Sequence, residues 1–152
     1  SEEEMYLLLN QLLIQLVRTV SDTARPEQES RITGILHYLQ ENYTETVTLN
    51  EIASLFYLSP YYLCREFKKH TNSTIIQYVN SLRISHAQRL FHETDKSVTE
   101  ISKIVGFANV THFNRIFKAV TGQSPSQHRK QALERKQAIE NSSFPMAPIS
   151  KN

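Results

Sequence analysis

The chain has 152 residues, of which 39% are hydrophobic, and a formal net charge of +2 at pH 7. This length suits one ordinary domain with flanking segments, and the single cysteine, Cys64, excludes an intramolecular disulfide or a multi-cysteine metal site. Three glutamates open the chain where a secretory signal would be cationic, and no apolar run approaches the roughly 18 residues of a membrane span. We therefore expect a cytoplasmic protein with no membrane partner.

The charge is distributed unevenly along the chain. Residues 1–30 contain two basic and six acidic residues. Residues 31–130 contain twelve basic and seven acidic residues, and residues 131–152 contain three basic and two acidic residues. A basic central region behind an acidic leader fits a polyanionic partner such as nucleic acid, although many soluble domains carry a similar excess.

Hydrophobic periodicity predicts an all-α fold, because helix-period patterns fill most of the chain. An apolar helix over residues 3–20 comes first, and a polar linker over 21–29, which contains Pro26, follows it. Further helices are predicted at 30–42, 48–55, 59–70, 74–92, 97–104, 109–120 and 124–136. Residues 137–152 are expected to be a disordered tail, since the last twelve contain two prolines and little periodicity.

Helix start signals recur along residues 48–127. In a capping box, a hydroxyl and a carboxylate or amide three residues later satisfy free backbone N–H groups. Four pairs match it: Thr48 with Glu51, Thr74 with Gln77, Ser97 with Glu100, and Ser124 with Gln127. Ser59 before Pro60 is a further start signal, and Asn109 is a plausible cap.

An internal repeat relates the segments TLNEIASLFYLSPYYLCREFKKHTN and SVTEISKIVGFANVTHFNRIFKAVTG. After one residue inserted in the second copy, five positions match: Leu63, Arg65, Phe67, Lys68 and Thr71 correspond to Phe113, Arg115, Phe117, Lys118 and Thr121. Each copy has a short capped helix, a tight turn and a second helix that ends in basic residues. This layout predicts two helix-turn-helix motifs.

The second helix of each copy carries a polar, basic face opposite its apolar face. At 100° per residue, Leu63 and Phe67 share one core face, and Phe113 and Phe117 share the other. The opposite faces carry Tyr61, Arg65, Lys68 and Lys69 in the first copy, and Thr111, Arg115 and Lys118 in the second. Arginine binds guanine bidentately, whereas lysines further along the helix suit phosphate.

Two interpretations of these faces stay open at this point. An isolated helix with such a face is commonly an ordinary solvated surface, but the matching Arg65 and Arg115 favour nucleic-acid contact. A helical adaptor that binds protein is the alternative function, and it should present apolar anchors there.

The six histidines form no metal motif and no catalytic motif is present. We therefore expect no cofactor, no metal and no enzymatic activity.

The helix at 74–92 joins the two copies. Its nineteen residues span roughly 28 Å, and one turn of B-DNA is about 34 Å. Two reading helices joined in this way could occupy successive major grooves on one side of the duplex. Arg83 and Arg89 are candidates for phosphate contact, with an exposed or ion-paired role as the alternative.

Residues 31–130 resemble the AraC/XylS family of transcriptional regulators. The resemblance is carried by the repeat, the spacer SLRISHAQRLF and the run VTEISKIVGFANVTHFNRIFKAVTGQSPSQHR. It implies seven helices, a helix-turn-helix at each end of a linker helix, and the C-terminal DNA-binding domain of a transcriptional regulator, either an activator or a repressor, with RNA polymerase as a candidate partner. The family's base-contacting positions fall on Tyr61, Cys64, Arg65, Val110, Thr111, Asn114 and Arg115. Phosphate contacts are expected from Lys68, Lys69, His112 and Lys118.

Three positions depart from the commoner choices of the family. Tyr57 stands where the second copy has the turn glycine Gly106, so it must accept a strained backbone or make a different turn. Asn72 replaces a glycine, and asparagine tolerates the left-handed region. His128 stands where tyrosine is usual.

The leader helix at 3–20 is apolar over much of its circumference and therefore needs a partner surface. It looks like the last helix of an absent sensor or dimerisation domain, so residues 1–29 are interpreted as its end and 30–136 as the DNA-binding domain. We expect the leader to dock on the body or on a second chain, giving a homodimer through residues 3–20. An eighth helix of the same domain is the alternative.

Overall fold

The computed structural model describes residues 2–143, and in the first helix it describes the side chains of residues 8–9, 11–16 and 30 onward. These residues form seven helices and no strand, which confirms the all-α prediction. The helices are α1 (Glu2–Asn42), α2 (Leu49–Leu55), α3 (Pro60–Thr71), α4 (Ile75–Glu93), α5 (Val98–Ile104), α6 (Val110–Thr121) and α7 (Pro125–Ser142). Within residues 2–143, none combines the length and apolar character that crossing a bilayer requires.

The predicted linker at 21–29 is wrong, because α1 runs without a break through it. The predicted helices at 3–20 and 30–42 are therefore one helix of 41 residues. Pro26 lacks one N–H donor, but the residues around it are mostly good helix formers, including Ala24, Arg25 and Glu27. The proline costs the helix one hydrogen bond and a clash with the preceding turn, yet α1 continues through it.

The predicted end of the last helix at residue 136 is also wrong. Helix α7 continues to Ser142, so the first six residues of the predicted tail are helical. Glutamine, alanine and glutamate favour the helix there, and no glycine or proline interrupts the chain before Pro145. The rest of the predicted tail, residues 144–152, lies outside the described residues.

The chain divides into two compact units, each with one helix-turn-helix. Unit 1 comprises the chain up to Glu41 together with Thr48–Ser73, and unit 2 comprises Asn42–Val47 together with the chain from Thr74. Helix α4, which the sequence predicted as a linker, belongs to unit 2 and packs on α5, α6 and α7.

Buried side chains in unit 1 come from three helices. Helix α1 contributes a stripe at helical spacing, α2 contributes two residues, and α3 contributes its predicted core face. The buried apolar residues are Ile32, Ile35, Leu39, Ile52, Ala53, Leu63 and Phe67. Phe56, at the end of α2, packs edge-on against Tyr38 of α1 with ring centroids 6.3 Å apart.

The core of unit 2 is rich in aromatic rings. Phe113 and Phe117 of α6 are fully buried, and Phe117 packs edge-on against Phe91 of α4 at 5.7 Å. His128 of α7 packs on the same two rings, Phe91 at 5.9 Å and Phe117 at 5.4 Å. The position that is usually tyrosine in the family therefore remains an aromatic core contact.

Arg83 of α4 has a structural role. Its Nε donates to the carbonyl of Tyr43 at 2.6 Å, its Nη2 donates to the carbonyl of Glu45 at 3.0 Å, and its guanidinium lies 5.4 Å from the ring centre of Phe107. Burial lowers the pKa of Arg83 from its ordinary value. The sequence left two roles open for Arg83, and in the structure its side chain ties the 42–47 segment to α4.

The two helix-turn-helix motifs share the same turn geometry. The N–H of Leu58 donates to the carbonyl of Ala53 at 2.8 Å, and the equivalent bond joins Phe107 to Ser102 at 2.9 Å. The helix ends also agree. The Thr71 hydroxyl donates to the carbonyl of Phe67 and accepts from the N–H of Ser73. The Thr121 hydroxyl makes the equivalent bonds with Phe117 and Gln123. The repeat seen in the sequence is thus a repeat of local structure.

Positive φ angles occur at the positions where the first copy lacks glycine. Tyr57 has φ 55° and Asn72 has φ 57°, and their counterparts Gly106 and Gly122 have φ 107° and 79°. Tyr57 therefore takes the strained backbone rather than a different turn. Asn72 caps α3 in the left-handed conformation, as Gly122 caps α6.

Candidate nucleic-acid interface

Helix α3 begins at a local cap and exposes the predicted face. The Ser59 hydroxyl accepts a hydrogen bond from the N–H of Tyr62 at 3.2 Å, and Pro60 occupies the first helical position. Leu63 and Phe67 are buried, which directs the opposite side of the helix to solvent. That side carries the exposed residues Tyr61, Cys64, Arg65, Lys68 and Lys69.

Helix α6 repeats this arrangement. The side chain of Asn109 accepts from the N–H groups of Thr111 and His112 at 2.7 and 3.1 Å, which confirms the predicted cap. Phe113 and Phe117 are buried, and the opposite side carries the exposed residues Thr111, Asn114, Arg115 and Lys118. Val110 is half-buried, and the ring of exposed His112 packs on Phe107 at 5.5 Å.

The two exposed faces match position for position. Each residue of α3 has its counterpart fifty residues later in α6, so that Tyr61, Cys64, Arg65 and Lys68 correspond to Thr111, Asn114, Arg115 and Lys118. The arginine and the first lysine are the same in both faces, whereas Thr111, Asn114 and Ala119 replace Tyr61, Cys64 and Lys69. Both faces therefore combine an arginine near the middle of the helix with a lysine one turn later.

The faces also agree in charge. Helix α6 contains no acidic residue, and the one acidic residue of α3, Glu66, is only 7% exposed. Its Oε2 lies 3.5 Å from Nε2 of His70. The exposed sides of both helices are thus basic and polar without a competing carboxylate, which suits a polyanion.

An open cavity of about 570 Å³ lies beside the exposed face of α6. Asn114, Arg115 and Lys118 line it together with residues at the beginnings of α5 and α7. Thr99 and Ser126 are among these residues, and the sequence interpretation did not include them. The helix starts marked by Ser97 and Ser124 were the signal that could have drawn attention to them, because the helix dipole favours anions near the start of a helix.

A family model described as a helix-turn-helix domain matches residues 52–131, which is more than half of the chain. The chain belongs to the AraC family of transcriptional regulators. This AraC-family chain is 36% identical over 121 residues to the HTH-type transcriptional activator RhaS of Yersinia pestis, covering 80% of the chain and 44% of RhaS. It is 35% identical over 96 residues to the bifunctional transcriptional activator/DNA repair enzyme AdaA of Bacillus subtilis, covering 63% of the chain and 46% of AdaA.

The fold of this AraC-family chain also occurs in a DNA complex. The DNA-binding domain of the transcriptional factor AdpA, solved with a target DNA, has a TM-score of 0.66 and 25% sequence identity. The match covers 70% of this chain and 96% of that domain. The chain spans less than half the length of the curated relatives named above, so their complete activities do not transfer to it directly.

Proposed function

We propose that the chain binds duplex DNA sequence-specifically through α3 and α6, with each helix in its own major groove. The observation that carries the proposal is the agreement of the two exposed faces, which match in residue position, in charge and in the location of an arginine. A solvated surface has no reason to repeat these features. An adaptor that binds protein would need apolar anchors where Arg65 and Arg115 stand, so the basic faces favour DNA.

Position along each helix separates the proposed base contacts from the proposed phosphate contacts. The N-terminal part of a recognition helix approaches the base edges. The proposed base contacts are therefore Tyr61, Cys64, Arg65, Val110, Thr111, Asn114 and Arg115, although Val110 is only partly exposed. Lys68, Lys69, His112 and Lys118 are proposed to contact phosphate, which orients the protein without reading sequence.

The proposed sites of α3 and α6 are successive major grooves. The support is that each unit presents one exposed basic helix face of its own. Activation of transcription in the cytoplasm, with RNA polymerase as partner, is proposed from the relatives named as activators.

A homodimer through residues 3–20 is proposed because Leu9, Leu12 and Leu13 on α1 are each more than half exposed.

The proposal is tested by binding-site selection from a random duplex library. A bidentate arginine–guanine contact discriminates between bases by about 1–3 kcal/mol. Arg65→Ala and Arg115→Ala should therefore each relax sequence preference in one half of the selected site and spare the other half. Arg→Lys should rescue little, because an ammonium group lacks the planar fork.

Two comparison variants make the outcome interpretable. Lys118→Ala should weaken binding to all sequences alike, as loss of a phosphate contact does. Lys136→Ala removes the same charge near the end of α7 and should change neither affinity nor preference. If both arginine variants lose affinity evenly and keep the full site preference, then Arg65 and Arg115 bind phosphate and do not read bases.

A further inference from the structure

Tyr57 lies in the turn of unit 1 with a backbone that suits glycine and a side chain that contacts mainly solvent. Its φ is 55°, in the left-handed region that favours glycine, and 96% of its surface is exposed. A strained residue is normally held in place by packing around its side chain, and an exposed phenol obtains little such compensation. Neither the core nor the DNA-binding face explains a tyrosine at this position.

The equivalent turn in unit 2 is covered by another part of the chain. A Cβ atom on Gly106 would lie 2.7 Å from the carbonyl oxygen of Thr44, so the irregular 42–47 segment runs directly over the glycine. Arg83 holds that segment by its backbone carbonyls. Unit 1 repeats the turn, but at the corresponding position it exposes Tyr57 instead of carrying a chain segment.

An open groove of about 600 Å³ lies beside Tyr57 in unit 1. Its apolar walls are formed by Leu55, which is 54% exposed, together with Tyr38 and Tyr57. The remaining lining residues are Asn50, Glu51 and Ser54. The groove therefore contains a carboxylate and no basic residue, and it shares no residue with the exposed face of α3. This chemistry disfavours a polyanion and leaves protein as the fitting occupant.

We propose that this groove is a protein-docking site that takes a short segment of a partner protein, which lies beside Tyr57 rather than over the turn as the 42–47 segment does at Gly106. The segment presents an apolar side chain to Leu55 and Tyr57 and a basic side chain to Glu51. The site goes beyond DNA recognition, because it gives the chain a second binding surface that duplex DNA does not use. Tyr57 is retained in a left-handed turn because it forms one wall of the site.

The test is a selection of random short peptides, displayed on phage, against the full chain. Peptides that pair an apolar with a basic residue should be enriched, and their affinity for the chain should fall about tenfold with Tyr57→Gly, as for a central contact residue. The same substitution should raise the thermal midpoint, since glycine accepts positive φ without strain. A gain in stability together with a loss of binding separates a docking role from a structural one.

Glu51→Gln tests the charge of the groove, because glutamine also completes a capping box and α2 should keep its start. It should weaken binding of the enriched peptides, whereas Glu100→Gln at the equivalent place in unit 2 should have no effect. The proposal is overturned if no peptide is enriched, or if the enriched peptides bind wild type and Tyr57→Gly equally. DNA affinity of the same variants, measured separately, should be unchanged, so failure of the groove and failure of the DNA-binding proposal give different results.

Discussion

At the scale of single residues, Gly106 and Gly122 have similar backbones but different surroundings. Both adopt positive φ, at the turn and at the end of α6 respectively. A Cβ on Gly106 would lie within 3.0 Å of both the backbone of Thr44 and the guanidinium of Arg83, whereas one on Gly122 would meet nothing within 4 Å. Gly106 is therefore required for backbone conformation and close packing, and Gly122 for conformation only.

This difference predicts unequal costs for the same substitution. Gly122→Ala should lower the free energy of unfolding by about 1 kcal/mol, the cost of a left-handed conformation for a residue with a side chain. Gly106→Ala should cost more than about 2 kcal/mol, because it adds displacement of the 42–47 segment to that strain. Urea unfolding of the two variants gives the comparison, and equal losses would show that the 42–47 segment yields without cost.

His128 makes the stability of unit 2 depend on pH. Its Nε2 is buried without a hydrogen-bond partner among the described residues. Burial lowers the pKa of His128 below its ordinary value of 6.5, and the neighbouring His92 and Arg135 lower it further. The unfolded chain therefore binds more protons than the folded chain, and the stability contributed by neutral His128 is present above about pH 6.5 and is lost as the pH falls below it.

His128→Phe should weaken this acid dependence, because phenylalanine keeps the packing on Phe91 and Phe117 without titrating. Some dependence should remain, since burial and Arg89 also lower the pKa of His86. Thermal midpoints measured between about pH 8 and pH 5.5 supply the test. Parallel curves for wild type and His128→Phe would mean that His128 titrates alike in the folded and unfolded chains.

At the scale of elements, the reactivity of the Cys64 thiol can show whether α3 contacts DNA. It is the single cysteine of the chain and lies exposed on the basic face, between Tyr61 and Arg65. If α3 enters a major groove, bound DNA should slow the reaction of Cys64 with N-ethylmaleimide, and the alkylated protein should bind DNA poorly. The Cys64→Ser variant is the control for reaction elsewhere. Labelling that proceeds at the same rate with and without saturating DNA would remove α3 from the interface.

Helix starts could be predicted from the sequence because their signals are local. The caps predicted at Thr48, Ser59, Thr74, Ser97 and Ser124 are confirmed by hydrogen bonds in the structure. Helix continuity was harder to predict, since Pro26 marked a linker where composition sustains a helix. The role of Arg83 was not predictable, because its partners are backbone carbonyls about forty residues away and carry no side-chain signature. The positions proposed to contact DNA stay predictions.

At the scale of the whole molecule, the apolar surface of α1 bears on oligomeric state. Removing residues 2–20 should abolish any dimer seen by sedimentation and leave intrinsic DNA contacts intact, because each unit keeps its helix-turn-helix. Leu13→Glu should act in the same direction, whereas Leu133→Glu, at an exposed leucine of α7, should not. A dimer that survives the deletion would place the interface elsewhere.

The cap at the start of each helix from α2 to α7 has a consequence for how fast the chain folds. Each of these helices has its own start signal, and the helix-turn-helix of each unit is a short continuous stretch of sequence. Little loop-closure entropy opposes the first contacts, because the partners are close along the chain. Helical domains with such local contacts fold in microseconds to milliseconds. We expect both motifs to form on that timescale, with the 42–47 segment docking on Gly106 afterwards, since its partners are the most distant in sequence.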